Sequence, residues 1–270
     1  MNFLVVNKQL AKEIQQSEIE YFHSRISSIG EKSGNPEGVE IKKFVNATAF
    51  YIQSMPWALF NSVKGISENE IDRLEEMIEF YQTKERKFQV EVDPINATPS
   101  LLRELSEKGL FQESFQSVLY GLPSQQNFDF SPEITIKEIK DAAHFEDFAG
   151  IHCVASGIDL VHKHHFVNNN IGLLHRKGWR LFLAYWNEQP AAVGVMYNNE
   201  KIASFTLAAT APEFRKKGLQ TALLKWRMNE AYRAGCELIV AQASSGSSSQ
   251  NNMERIGLRM AWTRAIWVSR

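Results

Sequence analysis

The sequence has little cysteine, little net charge and no long apolar run. Its two cysteines, Cys153 and Cys236, form no CxxC pair, so a zinc ribbon and a disulfide framework are not expected. A formal net charge of -1 does not indicate a nucleic-acid partner or an anionic membrane surface. No apolar run approaches the roughly 20 residues that span a bilayer, and residues 1–8 do not resemble a signal peptide. We therefore expect a cytoplasmic protein.

The composition is that of a globular protein. Hydrophobic residues make up 44% of the 270 residues and charged residues 23%, which suits one large domain or two smaller ones. The stretch 123–132 is polar and irregular, which is typical of a linker. We predict a first domain over residues 1–123, a linker over 124–132 and a second domain over 133–270.

Apolar periodicity and turn residues predict a similar series of elements in each half. In the first half the pattern predicts a helix over 8–30, strands near 39–45, 47–53 and 58–64, a helix over 71–81, a strand over 87–92, a helix over 99–108 and a strand over 110–122. In the second half it predicts a strand over 134–139, helices over 141–155 and 166–175, strands over 180–186, 191–197 and 201–210, a helix over 219–234, a strand over 237–241, a short helix over 251–256 and an extended segment over 258–268. Both halves end in a long helix, a strand, a short helix, a glycine and a long strand. This repetition indicates an internal duplication, although unrelated α/β segments can share so coarse a description.

The segment Thr206–Leu224, TLAATAPEFRKKGLQTALL, is the strongest candidate for a ligand site. A predicted strand runs into a turn, and the turn opens a helix. Gly218 lets the backbone approach a ligand closely, and the first N–H groups of a helix have no partner within it. The cations Arg215 to Lys217 lie at the same place. Together these features predict a cradle for an anion such as a pyrophosphate.

This loop resembles the acetyl-coenzyme A signature of the GCN5-related N-acetyltransferase superfamily, which reads Arg or Gln, two residues, Gly, one residue, then Gly or Ala. Arg215 and Gly218 fit that pattern, and Gly257-Leu258 stands where the family has a Gly-Phe after a short helix. The resemblance covers residues 133–268 well and the first half only as a degenerate copy, as in tandem two-domain members. It implies an α/β fold with two tandem copies of a mixed, mostly antiparallel sheet flanked by helices.

The resemblance also implies which residues hold the cofactor, acetyl-coenzyme A. Its pantetheine arm would pair with the strand before the loop, and its phosphates would meet the loop and the start of the helix. The residues implied are Leu207, Ala208, Ala209, Thr210, Arg215, Lys216, Lys217, Gly218, Leu219, Gln220, Thr221 and Asn252.

The chain departs from the family pattern at two positions. Gln220 replaces the final Gly or Ala, where its side chain would either crowd the phosphates or donate to one; we favour donation because the rest of the loop is intact. Met253 stands where many members have a tyrosine that protonates the leaving thiolate. Another group or solvent would have to serve.

The first half has no equivalent loop. Glu68 and Glu70 lie at the start of its corresponding helix, where they would repel a phosphate. Ser67 and Glu70 predict a capping box there. We therefore expect one cofactor site, in the second half, and no metal.

The residues that would catalyse a transfer are less clear. His162, His164 and His165 lie near Asp159 in a connector between two helices. The first two could take a proton from an acceptor amine, or the connector could be a polar loop without a catalytic role; a metal site there would need a further ligand. Tyr185 and Tyr197 are possible proton donors, although a tyrosine in a strand more often serves packing.

The function implied is transfer of an acetyl group from acetyl-coenzyme A to an amine of a small molecule, an amino acid or a peptide, by direct attack. One alternative is a non-catalytic acetyl-coenzyme A sensor or interaction module, and another is transfer of a longer acyl or aminoacyl group. The acceptor stays open, and we expect a monomer or a homodimer.

Overall fold

Within residues 4–269, which the computed structural model describes, the chain forms seven α-helices and eleven β-strands. The first part contains α1 (Lys8–Gly30), β1 (Val39–Lys43), β2 (Thr48–Ile52), β3 (Ser62–Lys64), α2 (Leu74–Gln82), β4 (Gln89–Val92), α3 (Pro99–Glu107) and β5 (Leu110–Gly121). The second part contains β6 (Ile134–Glu138), α4 (Ala142–Ala155), α5 (Lys163–Asn170), β7 (Trp179–Trp186), β8 (Gln189–Asn199), β9 (Ile202–Thr210), α6 (Leu219–Arg233), β10 (Leu238–Ser244), α7 (Ser248–Arg255) and β11 (Arg259–Ser269).

Tertiary contacts divide the described chain into two compact units. The first unit runs to Val118 and also takes in the stretch from Ala261 onward, and the second is Leu119–Met260. The final strand belongs largely to the first unit because it pairs antiparallel with β4, with Ala265 opposite Val92. This differs from the sequence-based division, in which everything after residue 133 lies in the second domain; that division stays a prediction about folding domains.

The first unit is a sheet in the strand order β1-β2-β3-β4-β11-β5. β3 and β4 run parallel, whereas β1, β2 and β3 pair antiparallel. Its core includes Val63, Leu74, Tyr81 and Val90, all nearly fully buried. α1 begins at the cap residue Asn7 and buries an apolar stripe that includes Ile14. None of the described helices is long and apolar enough to cross a membrane.

The second unit has the strand order β10-β9-β8-β7-β6. Only β9 and β10 run parallel, and the other neighbours pair antiparallel. α4 and α6 both contact β8 and β9. The core joins Phe182 and Phe205 of the sheet to Leu223 and Leu224 of α6. A central, mixed and mostly antiparallel sheet flanked by helices is thus confirmed.

The predicted duplication is confirmed in the order of elements. Each half contains the same series of element types, strand-strand-strand-helix-strand-helix-strand. The series is β1-β2-β3-α2-β4-α3-β5 in the first half and β7-β8-β9-α6-β10-α7-β11 in the second. In both halves the third strand of the series runs parallel to the fourth, and a helix connects them.

Several predicted elements differ from the structure by a few residues, and two of them differ most. The strand expected near 58–64 is reduced to β3, and residues 58–60 form a 3-10 turn. Asn61 causes the bend, since its amide nitrogen donates to the carbonyls of Met55 and Trp57. The helix expected over 166–175 begins earlier, at Lys163, and ends at Asn170. Its last three residues are asparagines, which are weak helix formers.

Candidate cofactor-binding site

The parallel pair β9 and β10 separates partway along its length. Pairing starts at Ile202 and ends where Phe205 faces Ala241, although β9 continues along β8 to Thr210. In the described chain, β9 beyond Phe205 therefore has a strand neighbour on one side only. Its other edge offers backbone donors and acceptors to an extended ligand. The predicted residues Leu207 to Thr210 lie on this open edge.

A bulge interrupts β9 at the start of the open edge. Val193 faces Ala209 and Val195 faces Thr206, so Leu207 and Ala208 together stand opposite Gly194. Leu207 has a φ of 45°, a left-handed conformation that is unusual for a residue with a side chain. Such a bulge changes the direction of the peptide groups beside it.

A buried histidine contacts this bulge. His152 of α4 is 7% exposed, and its Nε2 lies 2.9 Å from the carbonyl oxygen of Leu207. Sequence reasoning missed His152 because 55 residues separate the two partners along the chain. The one available signal was a histidine between Ile151 and Cys153 on an apolar helix face.

The turn between β9 and α6 follows from local sequence. Pro212 opens a 3-10 turn, in which the N–H of Phe214 donates to the carbonyl of Ala211 at 2.9 Å. Lys216 and Gly218 then have φ values of 62° and 81°. A Cβ added at Gly218 would meet no heavy atom within 4 Å. The chain thus presents Gly218 to open space directly before α6.

The start of α6 leaves a set of backbone donors free. The first bond of this helix runs from the N–H of Ala222 to the carbonyl of Gly218, and no side chain caps the helix. Within residues 4–269, the N–H groups from Lys216 to Thr221 have no hydrogen-bond acceptor. Free amides at the positive end of a 15-residue helix are the kind of group that binds an anion, and an anion site here stays a prediction.

Three cationic side chains stand beside these amides. Arg215 and Lys216 are exposed, and Arg215 approaches the carbonyl of Ala155 at 3.4 Å. The Nζ of Lys217 lies 4.6 Å from the centroid of the Trp186 ring. This cation–π contact holds Lys217 near the loop without neutralising its charge.

Gln220 bridges two helices. Its Nε2 donates to Ser249 Oγ at 3.0 Å, and its Oε1 accepts from Asn252 Nδ2 at 2.7 Å. The sequence-based interpretation had directed this amide at a phosphate. The structure instead bonds it to α7, which brings the predicted residues Gln220 and Asn252 together.

The predicted catalytic residues are scattered. His162 and His164 are exposed, and His164 Nδ1 bonds to Val161 of its own connector at 3.0 Å. Tyr185 is buried, which raises the pKa of its hydroxyl. Tyr197 packs on Trp179 with ring centroids 4.9 Å apart. None of these contacts involves the open edge of β9, so a catalytic role for the four residues stays a prediction.

Met253, which occupies the position of the family's tyrosine, is a core residue. It is 4% exposed and belongs to the apolar cluster of the second unit. The side chain therefore serves packing and supplies no acid.

Among residues 4–269, no group of three or more His, Cys, Asp or Glu side chains is placed to hold a metal ion.

A buried cation lies opposite the bulge. Arg227 of α6 is 1% exposed and donates to the carbonyls of Val195 and Leu223 at 3.0 and 3.2 Å. Burial lowers the pKa of its guanidinium to about 9, and no carboxylate pairs with it in the described chain. A Cβ added at Gly194 would lie 3.1 Å from Cζ of Arg227. Gly194 therefore gives the guanidinium its space.

In the first unit the corresponding helix start is already satisfied. The hydroxyl of Ser67 accepts from the N–H of Asn69, and the Glu70 carboxylate accepts from the N–H groups of Ser67, Asn46 and Ala47. The predicted capping box is confirmed. These amides have protein partners and a carboxylate among them, so they cannot hold a phosphate.

A cluster of buried charges lies at β3, β4 and β11. Lys64 Nζ lies 2.6 Å from Glu91 and 3.1 Å from Glu18. Arg264 of β11 reaches Glu18 at 2.5 Å and Asp93 at 2.7 Å. Burial alone raises the pKa of Glu18, but the charges of Arg264 and Lys64 outweigh it and lower that pKa to about 2. Lys64, Arg264 and the three carboxylates thus form one buried charge cluster in the first unit.

Comparison with solved structures shows the fold. A GCN5-related N-acetyltransferase from Kribbella flavida is 13% identical, with a TM-score of 0.65 over 91% of this chain and 95% of the other. A tandem GNAT protein from the clavulanic acid biosynthesis pathway is 10% identical, with a TM-score of 0.59 over 95% of this chain and 96% of the other. A GCN5-related N-acetyltransferase from Sphaerobacter thermophilus is 15% identical, with a TM-score of 0.58 over 83% and 76% of the two chains.

No family model matches the sequence, and no curated protein matches it either. The structural likeness extends over nearly the whole chain, both halves included. The chain therefore has the fold of the GCN5-related N-acetyltransferases in their tandem form.

Proposed function

We propose that the second unit binds acetyl-coenzyme A and that the protein transfers the acetyl group to an amine of a small molecule, an amino acid or a peptide. The observation that carries this proposal is the set of six free amides from Lys216 to Thr221, which follows directly on the open edge of β9. A pyrophosphate and an extended amide-bearing arm joined to one another match these two features.

The phosphate end of the ligand fits the loop and helix start. Free backbone N–H groups at a helix N-terminus bind phosphate oxygens without a side chain, and Arg215 to Lys217 add positive charge. The space around Gly218, which a Cβ would enter without meeting an atom within 4 Å, allows the phosphates to come close to the backbone.

The arm of the ligand fits the strand. Pantetheine carries two amide groups, and a strand edge without a neighbour pairs with such groups by β-augmentation. The edge from Thr206 to Thr210 begins where β10 leaves β9. An arm lying there would bring its thioester to the bulge at Leu207 and Ala208.

The reaction needs no covalent acetyl-enzyme. The neutral acceptor amine attacks the thioester carbonyl, a C–N bond forms, and the C–S bond breaks as the thiolate leaves. The amine proton passes to a base and the thiolate takes up a proton. Backbone N–H groups near Ala209 would stabilise the oxyanion, and alignment of the two substrates would supply much of the acceleration.

A non-catalytic sensor of acetyl-coenzyme A is the second candidate. It is favoured by the burial of Met253 in the core, which removes the tyrosine that serves as the acid in many relatives. A sensor needs the cradle and the strand edge but no acid–base pair. Transfer of a longer acyl group is a variant of the first proposal.

Two matched glycine variants test the cofactor site. Gly218 and Gly235 flank α6, have φ values of 81° and 72°, and both leave open space where a Cβ would stand. G218E places a carboxylate among the free amides, so we expect coenzyme A binding to disappear in calorimetry. G235E carries the same charge and backbone strain at the other end and should bind like the wild type. Equal affinities for G218E and the wild type, or equal losses in both variants, would refute the placement.

A turnover screen separates enzyme from sensor. The purified protein is incubated with acetyl-coenzyme A and panels of amines, amino acids and peptides, and free thiol is measured. Thiol release that depends on one acceptor class supports transfer. Tight binding without release on any acceptor supports the sensor.

A further inference from the structure

The contact between His152 and the bulge of β9 determines which nitrogen of the imidazole carries a proton. A carbonyl oxygen cannot donate, so the His152 Nε2 that lies 2.9 Å from the Leu207 oxygen must carry the proton. The tautomer at this nitrogen is therefore set by the backbone. While this bond lasts, Nε2 has no lone pair with which to accept a proton from a substrate.

The carbonyl that His152 holds belongs to the most strained residue of the strand. Leu207 has a φ of 45°, a left-handed conformation in which the Cβ of a leucine crowds the following carbonyl oxygen. Pairing with β10 has already ended at Phe205, so the neighbouring strand cannot fix the bulge from that side. The donor that holds the Leu207 carbonyl is instead a side chain of α4, His152.

The imidazole is itself held rigidly. Its ring stacks on Phe166 with centroids 4.9 Å apart at 22°, and Phe148 lies 4.8 Å away on α4. His152 is 7% exposed, and low exposure of this kind strengthens a hydrogen bond. The second unit therefore carries a rigid donor aimed at one strained peptide.

We infer that His152 is a positioning residue for the proposed transfer. This inference rests on the proposed function and deepens it. By holding the carbonyl of Leu207, His152 fixes the orientation of the peptide group between Leu207 and Ala208, and with it the direction of the Ala208 N–H, which in the proposed complex donates to the thioester carbonyl. His152 acts through the backbone and does not itself touch the substrate.

The test uses acetyl-coenzyme A labelled with ¹³C at the thioester carbonyl. The infrared stretch of the bound carbonyl reports hydrogen bonding to its oxygen, and the affinity for unlabelled coenzyme A reports the phosphate end separately. H152F keeps an aromatic ring between Phe148 and Phe166 but removes the donor. H152Q restores an N–H donor. H144F is the matched control, since His144 lies on the same helix and bonds to its own cap residue Asp141.

In H152F we expect coenzyme A affinity to stay within about twofold of the wild type, because the cradle is untouched. The carbonyl stretch should move to higher frequency, and thiol release should fall by roughly tenfold or more, in line with the loss of an oxyanion contact. H152Q should restore both, and H144F should change neither. Thermal unfolding of each variant checks that it folds.

Three results would overturn the inference. An unchanged stretch in H152F would show that His152 does not set the bulge. A shift that H152Q fails to reverse would show a packing effect. A restored stretch with turnover still as low as in H152F would assign proton transfer to the imidazole itself. Failure of the wild type to bind acetyl-coenzyme A at all would instead refute the proposed function.

Discussion

Single residues with unusual surroundings mark the second unit. Arg227 is a fully buried cation whose partners are backbone carbonyls, and Leu207 is a leucine in the left-handed region. Buried charges are usually paired, and strained residues persist only where their surroundings hold them. Both residues lie at the same bulge, on α6 and β9, so the unusual features concentrate where the thioester is proposed to bind.

Gly194 and Arg227 should be energetically coupled. In G194A the new Cβ would come within 3.1 Å of the guanidinium, which two backbone carbonyls hold in place. We expect a loss of about 1–3 kcal/mol in the free energy of unfolding. The loss should be much smaller in an R227M background, because the flexible methionine can move aside.

Urea unfolding of the two single variants and the double variant measures this coupling. G150A is a suitable control, since a Cβ at Gly150 would meet only the end of Lys163 at 3.8 Å. Losses that simply add in the double variant would contradict the proposed clash.

At the scale of elements, the sequence determines those features that depend only on neighbouring residues, such as helix caps and turns. Asn7 and Asp141 cap the helices that begin next to them, and the capping box of Ser67 and Glu70 is formed. The loop before α6 leaves its amides free because Pro212 and Gly218 determine a turn that no side chain caps.

Contacts between distant elements were not predictable from sequence. The carboxylate of Asp93 meets Arg264 across 171 positions, and Gln220 meets Asn252 across 32. His152 gave no sign of its contact with Leu207. Such pairs depend on how strands and helices pack, and a single sequence contains no pattern that links them.

The buried charge cluster should make the first unit sensitive to acid. The pKa of Glu18 is about 2 in the folded protein, compared with 4.5 for an ordinary glutamate. Because the folded-state pKa is lowered, the contribution of Glu18 is complete above pH 4.5 and is lost as the pH falls towards 2. Its size is on the order of 3 kcal/mol.

The variant E18Q tests this contribution. At neutral pH it should be clearly less stable than the wild type, because Lys64 and Arg264 lose a buried partner. The difference in unfolding free energy should shrink between pH 4.5 and about 2. The control E237Q removes an exposed partner of Lys201 and should show a small difference at every pH. A constant gap for E18Q would contradict the assignment.

At the scale of the whole molecule, one fold has been used for two different ends. In the second unit β9 continues beyond the end of its pairing with β10, and the start of α6 has no side-chain cap. In the first unit Lys64, Glu91 and Arg264 belong to a buried charge cluster, and Ser67 and Glu70 form a capping box. The two copies thus differ in the features on which the proposed cofactor site depends.

We therefore expect one coenzyme A per chain. Calorimetry of the intact protein should give a stoichiometry of one, and G218E should remove all of the binding. A second equivalent of similar affinity would mean that the first unit can release its buried charges to admit a ligand, contrary to their burial and pairing.

The last strand of the chain belongs to the first unit, and this affects the order in which the two units can fold during synthesis. During synthesis, Glu18, Glu91 and Asp93 of the first unit are made before any part of the second unit. Arg264, which pairs with all three carboxylates, is made only after the whole of the second unit. Until the last strand has been made, the three carboxylates of the cluster have Lys64 as their cation but lack Arg264. The unit whose synthesis begins first is therefore completed last, and the second unit can fold before it.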